Sequence, residues 1–270
     1  MDYKIQALNG FQLYPDQLIT VFRSFYENEE KNLDALTEIT GFNRRKTRLL
    51  LNFLADLGLS QKRTFQKTEL GKLVFDQDGF LQDEGTLWLF HYMIASNEYI
   101  VVWNRILNHL YEIDEFTATD FDPLFEDLKD QISEYSFKKH VRQETRTVIK
   151  TYTETLLKSL NLIEEDYDGK YLVNRNPDID DAVLMACVYE YRSRFFAGAT
   201  ALPIRELISG ENGVARVFTL EEYSFREALE RMKNRGWMSI ESRGNLDQIR
   251  LQDGDHTVEY MSEYYTKRRM

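Results

Sequence analysis

One ending recurs three times in this chain, and it constrains the fold more than any other feature. Residues 50–65 read LLNFLADLGLSQKRTF, residues 156–171 read LLKSLNLIEEDYDGKY, and residues 229–250 give a looser LERMKNRGWMSIESRGNLDQIR. Each has apolar residues at three- and four-residue spacing, then a turn with Gly or Asn, then an apolar residue opening a candidate hairpin. The first pattern is that of an amphipathic helix and the second that of a short strand pair. The expected fold is therefore mainly α with small β-hairpins: winged helix-turn-helix modules in a compact multi-part helical protein. The divisions expected are a winged-helix-like domain at 1–75, a central helical region with a second wing-like unit at 76–177, and a winged-helix-like region at 178–270. No long Gly/Ser-rich linker separates them. The terminal VEYMSEYYTKRRM reads either as a docking helix or as a loose tail.

The first module is written most fully. Pro15 suits the first turn of a helix, and Leu18, Ile19, Phe22 and Phe25 share one face. A second helix is predicted at 33–40, Gly41 permits a tight turn, and Asn43 is an N-cap for the next helix. That helix buries Leu50, Phe53, Leu54 and Leu57, so Arg44, Arg45 and Arg48 project away from the core together. Alternation around Thr64 to Thr68 predicts a hairpin. Helix, helix, turn, helix, hairpin is the order in which a winged helix lays its third helix in the major groove and its wing on the backbone.

Charge sharpens this. The formal net charge of −11 argues against a non-specific nucleic-acid coat, but the charge is unevenly placed. Residues 1–75 are net +2, 76–135 net −12 and 136–150 net +4. Two basic islands bracket one acidic stretch. In the first, Asn43, Arg44, Arg45, Lys46 and Arg48 are candidates for DNA contact, with Lys62, Arg63 and Lys67 reaching phosphates from the wing. Arginine can grip a base edge or a phosphate, and lysine brings a mobile point charge. The other reading is the solvent face of a helix used for protein contacts. In the second island, Lys138, Lys139, Arg142 and Arg146, followed by Lys150, form a helical stripe. It either follows phosphate or pairs with the acidic segment 112–130.

Signals of catalysis are sparse. There is no HExxH, glycine-rich phosphate loop or GxSxG. His91 reads as a packed core residue beside Trp88, and Trp88 and Trp103 as core anchors. His109 and Glu112 are too small a set for a metal site. Asp120, Asp122, Glu126, Asp127 and Asp130 read as acidic surface rather than nuclease ligands. Cys187 is the single cysteine, so neither an intrachain disulfide nor a cysteine-cluster metal site is expected. No signal peptide or membrane span is recognisable, and a cytoplasmic location is expected.

The order of features resembles DUF4007, a bacterial family of uncharacterised proteins found in defence-associated gene neighbourhoods, including those of DNA phosphorothioation. The resemblance is carried by FQKTELGKLVFDQDGFLQDEGTLWLFHYMIAS at 65–96, where Gly85, Thr86, Leu87, Trp88, Leu89, Phe90 and His91 match a Gly-Thr-Leu-Trp-Leu-Leu-His pattern. Phe116 and Thr117 match a downstream Phe-Thr pair, and 136–152 is similar to a family helix. Asn9 to Leu13 depart from the family's Gly-His-Glu-Thr-Phe-like opening, so no role of that His or Glu carries over. The resemblance implies a helical fold containing winged helices, and a DNA-defence context with partner proteins. Taken together, the expectation is a double-stranded-DNA-binding regulator or targeting subunit with no enzymatic activity and no cofactor. A homodimer would match a two-fold site. The alternative is a protein-interaction scaffold.

Overall fold

The computed structural model of the protein describes residues 3–28, 32–129, 132–243 and 246–269. The molecule is mostly helical with small antiparallel sheets. Its residues group into two compact units, one of residues up to 106 together with 115–172, the other of 107–114 together with 173 onward.

The first unit opens with α1 (Pro15–Glu27), α2 (Leu33–Thr40) and α3 (Arg44–Asp56), which pack on one another. Their ends follow from local chemistry. Asn32 Oδ1 accepts from the Ala35 amide (2.7 Å) and Asn43 Oδ1 from the Lys46 amide (2.9 Å). Each such cap contributes roughly 0.5–2 kcal/mol. Between α2 and α3, Gly41 takes φ +69° and donates to the Thr37 carbonyl (3.1 Å), a left-handed stop that favours glycine. Leu50, Phe53, Leu54 and Leu57 are buried, as their spacing predicts, and Leu51 is buried with them.

The strand pair expected after Leu59 is instead a single antiparallel bridge, Ser60 to Lys67, closing a loop over 61–66. Side chains have taken the place of a ladder. Tyr26 Oη donates to the Leu59 carbonyl (2.5 Å), Thr68 Oγ1 to the Gly58 carbonyl (2.7 Å), and Lys67 Nζ to the carbonyls of Tyr26 (2.9 Å) and Asn28 (3.1 Å). Gly71, in α4 (Glu69–Asp78), lets this knot close: a Cβ there would stand 1.9 Å from Tyr26 Oη.

Behind the trihelical segment lies α5 (Glu84–Ala95), buried at every position from Gly85 to Ala95. A helix apolar all round belongs inside a core. His91 is fully buried and shares a 2.6 Å hydrogen bond between Nδ1 and Tyr152 Oη. Trp88 and Trp103 are buried as well. α6 (Val101–His109), β1 (Glu115–Phe116), α7 (Glu126–Lys129), α8 (Glu134–Ser136) and α9 (Arg142–Thr153) follow, with a π-helical stretch at Phe137–Val141. β2 (Ile163–Glu165) and β3 (Tyr171–Val173) complete a sheet of order β1-β3-β2. Asp130 lies outside the described residues.

The second unit is built on α10 (Asp181–Phe195), another helix buried on almost every side. β4 (Ala201–Pro203), α11 (Ile204–Ser209), α12 (Val214–Val217), α13 (Glu222–Asn234), β5 (Ser239–Arg243) and β6 (Leu246–Arg250) follow. The antiparallel sheet has order β4-β6-β5, with Ile240 opposite Ile249 and Leu202 opposite Ile249 on the other side. Residues 244–245, at the expected turn, lie outside the described residues. The C-terminal segment is a docking helix: α14 (Thr257–Arg268) buries Tyr260, Met261, Tyr264 and Tyr265, and Tyr260 stacks on Tyr189 of α10 with ring centroids 5.5 Å apart. No helix among the described residues is long and apolar enough to cross a membrane.

Candidate nucleic-acid interface

The first unit carries a cleft of about 840 Å³ lined by Lys4, Asn9, Arg45, Arg48, Leu49, Asn52, Asp56, Lys62, Arg63, Phe65 and Tyr99. Three pieces of chain make it. From α3 come positions 45, 48, 49, 52 and 56, whose spacing of three, four and seven marks one helical stripe. The apolar stripe of the same helix faces the core, so burial of Leu50, Phe53 and Leu54 fixes which residues reach the cleft.

The second piece is the 61–66 loop. Its backbone is folded tightly, with the Gln61 amide donating to the Gln66 carbonyl (2.9 Å) and the Phe65 amide to the Gln61 carbonyl (3.1 Å). Arg63 (φ +70°) and Phe65 (φ +49°) both take left-handed conformations. Each such non-glycine residue costs on the order of 1 kcal/mol, held in place by the surrounding contacts. The result is that Lys62, Arg63 and Phe65 all line the cleft.

The third piece is the N-terminal segment. Lys4 pairs with Ile100 in a parallel bridge, its amide donating to the Tyr99 carbonyl (2.7 Å) and its carbonyl accepting from Val101 (3.2 Å). Buried Glu144 anchors this segment from below, with Oε1 accepting from the Ala7 amide (2.8 Å) and Trp103 Nε1 (2.6 Å). Lys4 and Tyr99 thereby reach the same cleft although 95 positions separate them.

The cleft is electropositive, with five cations against the one carboxylate of Asp56. Asp56 is buried and already engaged, by Lys62 Nζ at 2.8 Å and Asn97 Nδ2 at 3.1 Å. Lys4 Nζ donates to the Ala7 carbonyl. Burial lowers the Lys4 pKa, opposed by the charges of Asp56 and Glu144, and burial raises that of Glu144. Among the described residues, Arg45, Arg48 and Arg63 have no acidic partner; Arg45 only overlies the Phe11 ring at 5.8 Å. Exposed guanidinium groups without carboxylates are what a phosphate needs.

Of the residues singled out in the sequence, Arg45, Arg48, Lys62 and Arg63 come together here. The others lie elsewhere. Asn43 is spent as the cap of α3, Arg44 reaches Asp34 (2.6 Å), and Lys46 overlies Phe42 (4.8 Å). Lys67 is held by the two carbonyls at the end of α1. In the second island Arg142 pairs with Asp122 (2.5 Å), Lys138 with Glu134 (2.6 Å) and Lys150 with Glu154 (3.6 Å). Lys139 overlies Tyr135 (5.5 Å), and Arg146 is exposed with no ion-pair partner among the described residues. Asn9, Asn52, Phe65, Tyr99 and Lys4 were not singled out. Asn52 was accessible to helical arithmetic, seven positions after Arg45; Lys4 and Tyr99 were not.

The profile of a family described as protein of unknown function (DUF4007) matches residues 55–265. A search of curated proteins finds no match. Among solved structures, a magnesium ion-bound SspB crystal structure aligns with 99% of this chain and 89% of its own, at a TM-score of 0.77 and 14% identity. A second SspB crystal structure aligns over the same shares at 0.76 and 12% identity. At these identities the likeness is one of fold.

Proposed function

The chain belongs to the DUF4007 family, and from that premise we propose that it is a double-stranded-DNA-binding protein that grips phosphate through the cleft of its first unit. The observation that carries this is the meeting of Arg45, Arg48 and Arg63, without acidic partners, with Lys4 and Lys62 in one concave surface. α3 is the helix laid toward the groove, and the 61–66 loop takes the place of a wing. In the second unit, the order α10, β4, α11, α12, α13, β5, β6 with sheet order β4-β6-β5 supports a winged-helix module. The family resemblance and the SspB-like fold support a place as regulator or targeting subunit in a bacterial DNA-modification or defence system.

The proposed mechanism is recognition without covalent chemistry. Among the described residues no group of three or more His, Cys, Asp or Glu side chains is placed to hold a metal ion, and Asp56 is engaged by Lys62 and Asn97. A second role, docking a protein partner, is favoured for the 138–142 region by the pairing of Lys138 and Arg142 with their own acids.

The test is duplex affinity of the full chain across a salt series. Four or five phosphate contacts predict a log–log slope of about −3 to −5, at roughly 0.9 per phosphate. Binding that is absent, or indifferent to salt, overturns the proposal.

A further inference from the structure

The cleft holds more than a duplex backbone requires. Phosphate needs cations and hydrogen-bond donors; it has no use for the face of an aromatic ring. Yet Phe65 and Tyr99 line the same surface as the arginines, and Tyr99 is 43% exposed. Lys62, tethered to Asp56, stands over the Tyr99 ring at 5.1 Å, which engages one ring face with a cation. The side-chain amides of Asn9 and Asn52 also line the cleft, and neither has a hydrogen-bond partner among the described residues. The cleft volume of about 840 Å³ lies in the range of sites that enclose a small ligand, roughly 300–1,000 Å³.

In an intact duplex both faces of every base are covered by neighbours, and the Watson–Crick edges are paired. Aromatic ring faces in a concave site gain nothing from such a base, and amides reach only its groove edge. They gain from one that has left the stack, whose face can lie on a ring and whose edge offers donors and acceptors.

We propose, building on the DNA-binding reading of the same cleft, that it receives an unpaired nucleotide: the base against Phe65 and Tyr99, its edge within reach of Asn9 and Asn52, and the flanking phosphates on Arg45, Arg48 and Arg63. The preferred ligand is thus DNA with a single-stranded or extruded position, and arginine and aromatic residues divide the work between charge and stacking.

The experiment measures full-chain binding by fluorescence anisotropy to a short uninterrupted duplex, the same duplex carrying one unpaired thymidine, and oligothymidylate. The probes with unpaired bases are expected to bind more tightly than the uninterrupted duplex. Phe65→Ala and Tyr99→Ala are each expected to reduce that advantage, by roughly five- to 150-fold, the range of one base–aromatic stack. Each loss should be larger on the probes with unpaired bases than on the uninterrupted duplex, and an unchanged melting temperature checks that the variants fold. Tyr99→Trp supplies a second readout, because a base stacking there quenches the new indole. Equal affinity for all three probes, an advantage that survives both alanine variants, or no quenching in Tyr99→Trp overturns the inference while leaving duplex binding in place. Failure of every probe to bind overturns both.

Discussion

Helices α3 and α13 occupy similar places in their units, each late in a run of helices and each followed by a turn. Residues 44–48 and 226–235 also carry the same number of cations, four in each. What happens to those cations differs. Arg226 is shared between Glu222 (2.8 Å) and Asp247 (2.7 Å), Lys233 pairs with Glu230 (2.8 Å), and Arg231 and Arg235 converge on buried Asp181 at 2.8 and 3.4 Å. Among the described residues, Arg44 alone of the α3 cations has an acidic partner. Counting basic residues therefore misjudges both helices. A surface attracts phosphate through charges that its own carboxylates have not already neutralised, and the placement of the acids decides that.

The largest effect expected from breaking this contrast is structural. The N-terminal side of the cleft hangs on Glu144, so Glu144→Ala strands the Trp103 and Ala7 donors. It should destabilise the first unit by about 2–4 kcal/mol in urea denaturation. Glu144→Gln keeps an acceptor and should lose much less. The pH dependence has a defined sign. Burial raises the Glu144 pKa, so its proton is held more tightly in the folded state. The stability of the native protein relative to Glu144→Gln should therefore rise as pH falls from neutral, and be lost as pH rises through the folded-state value. A difference that does not change with pH would remove the buried carboxylate from the account.

Next in size is the matched pair of double variants. Arg45→Ala/Arg48→Ala should weaken duplex binding by roughly ten- to a hundred-fold and flatten the salt slope by about two units. Lys233→Ala/Arg235→Ala, which removes the same charge from the α13 region, should change affinity by less than about two-fold, as expected of cations already paired. Equal losses from the two would erase the contrast.

A smaller gain is expected from Asp56→Asn. Removing the one carboxylate of the cleft frees Lys62, which should tighten duplex binding by a few-fold, on the order of one weak charge pair. Weaker binding would mean that Asp56 positions Lys62 rather than restraining it. The smallest effect concerns the second island. Lys138→Ala/Arg142→Ala should leave DNA affinity within about two-fold, because both cations are matched by local acids. A loss as large as that of the α3 variant would place the 136–150 stripe in the interface after all.

Some of this was written in the chain. The period of Leu50, Phe53, Leu54 and Leu57, the cap at Asn43 and the left-handed glycine at 41 determined α3, its start and its buried face, because helix period and capping are local interactions. The unbroken apolar run around Trp88 and His91, and the apolar setting of Trp103, put these three in the core. The loop after Leu59 was not legible: its apolar alternation predicts a strand pair, but the Tyr26 hydroxyl claims the Leu59 carbonyl and the Lys67 ammonium is drawn to carbonyls at the end of α1, and both bonds cross more than 30 positions. The second basic island likewise needed Asp122 to be brought to Arg142. Sequence alone determined which side chains α3 turns outward. Only tertiary structure decided that Lys4 and Tyr99 join them, and which cations keep their charge free, because electrostatics acts through space and a carboxylate neutralises whatever the fold sets beside it.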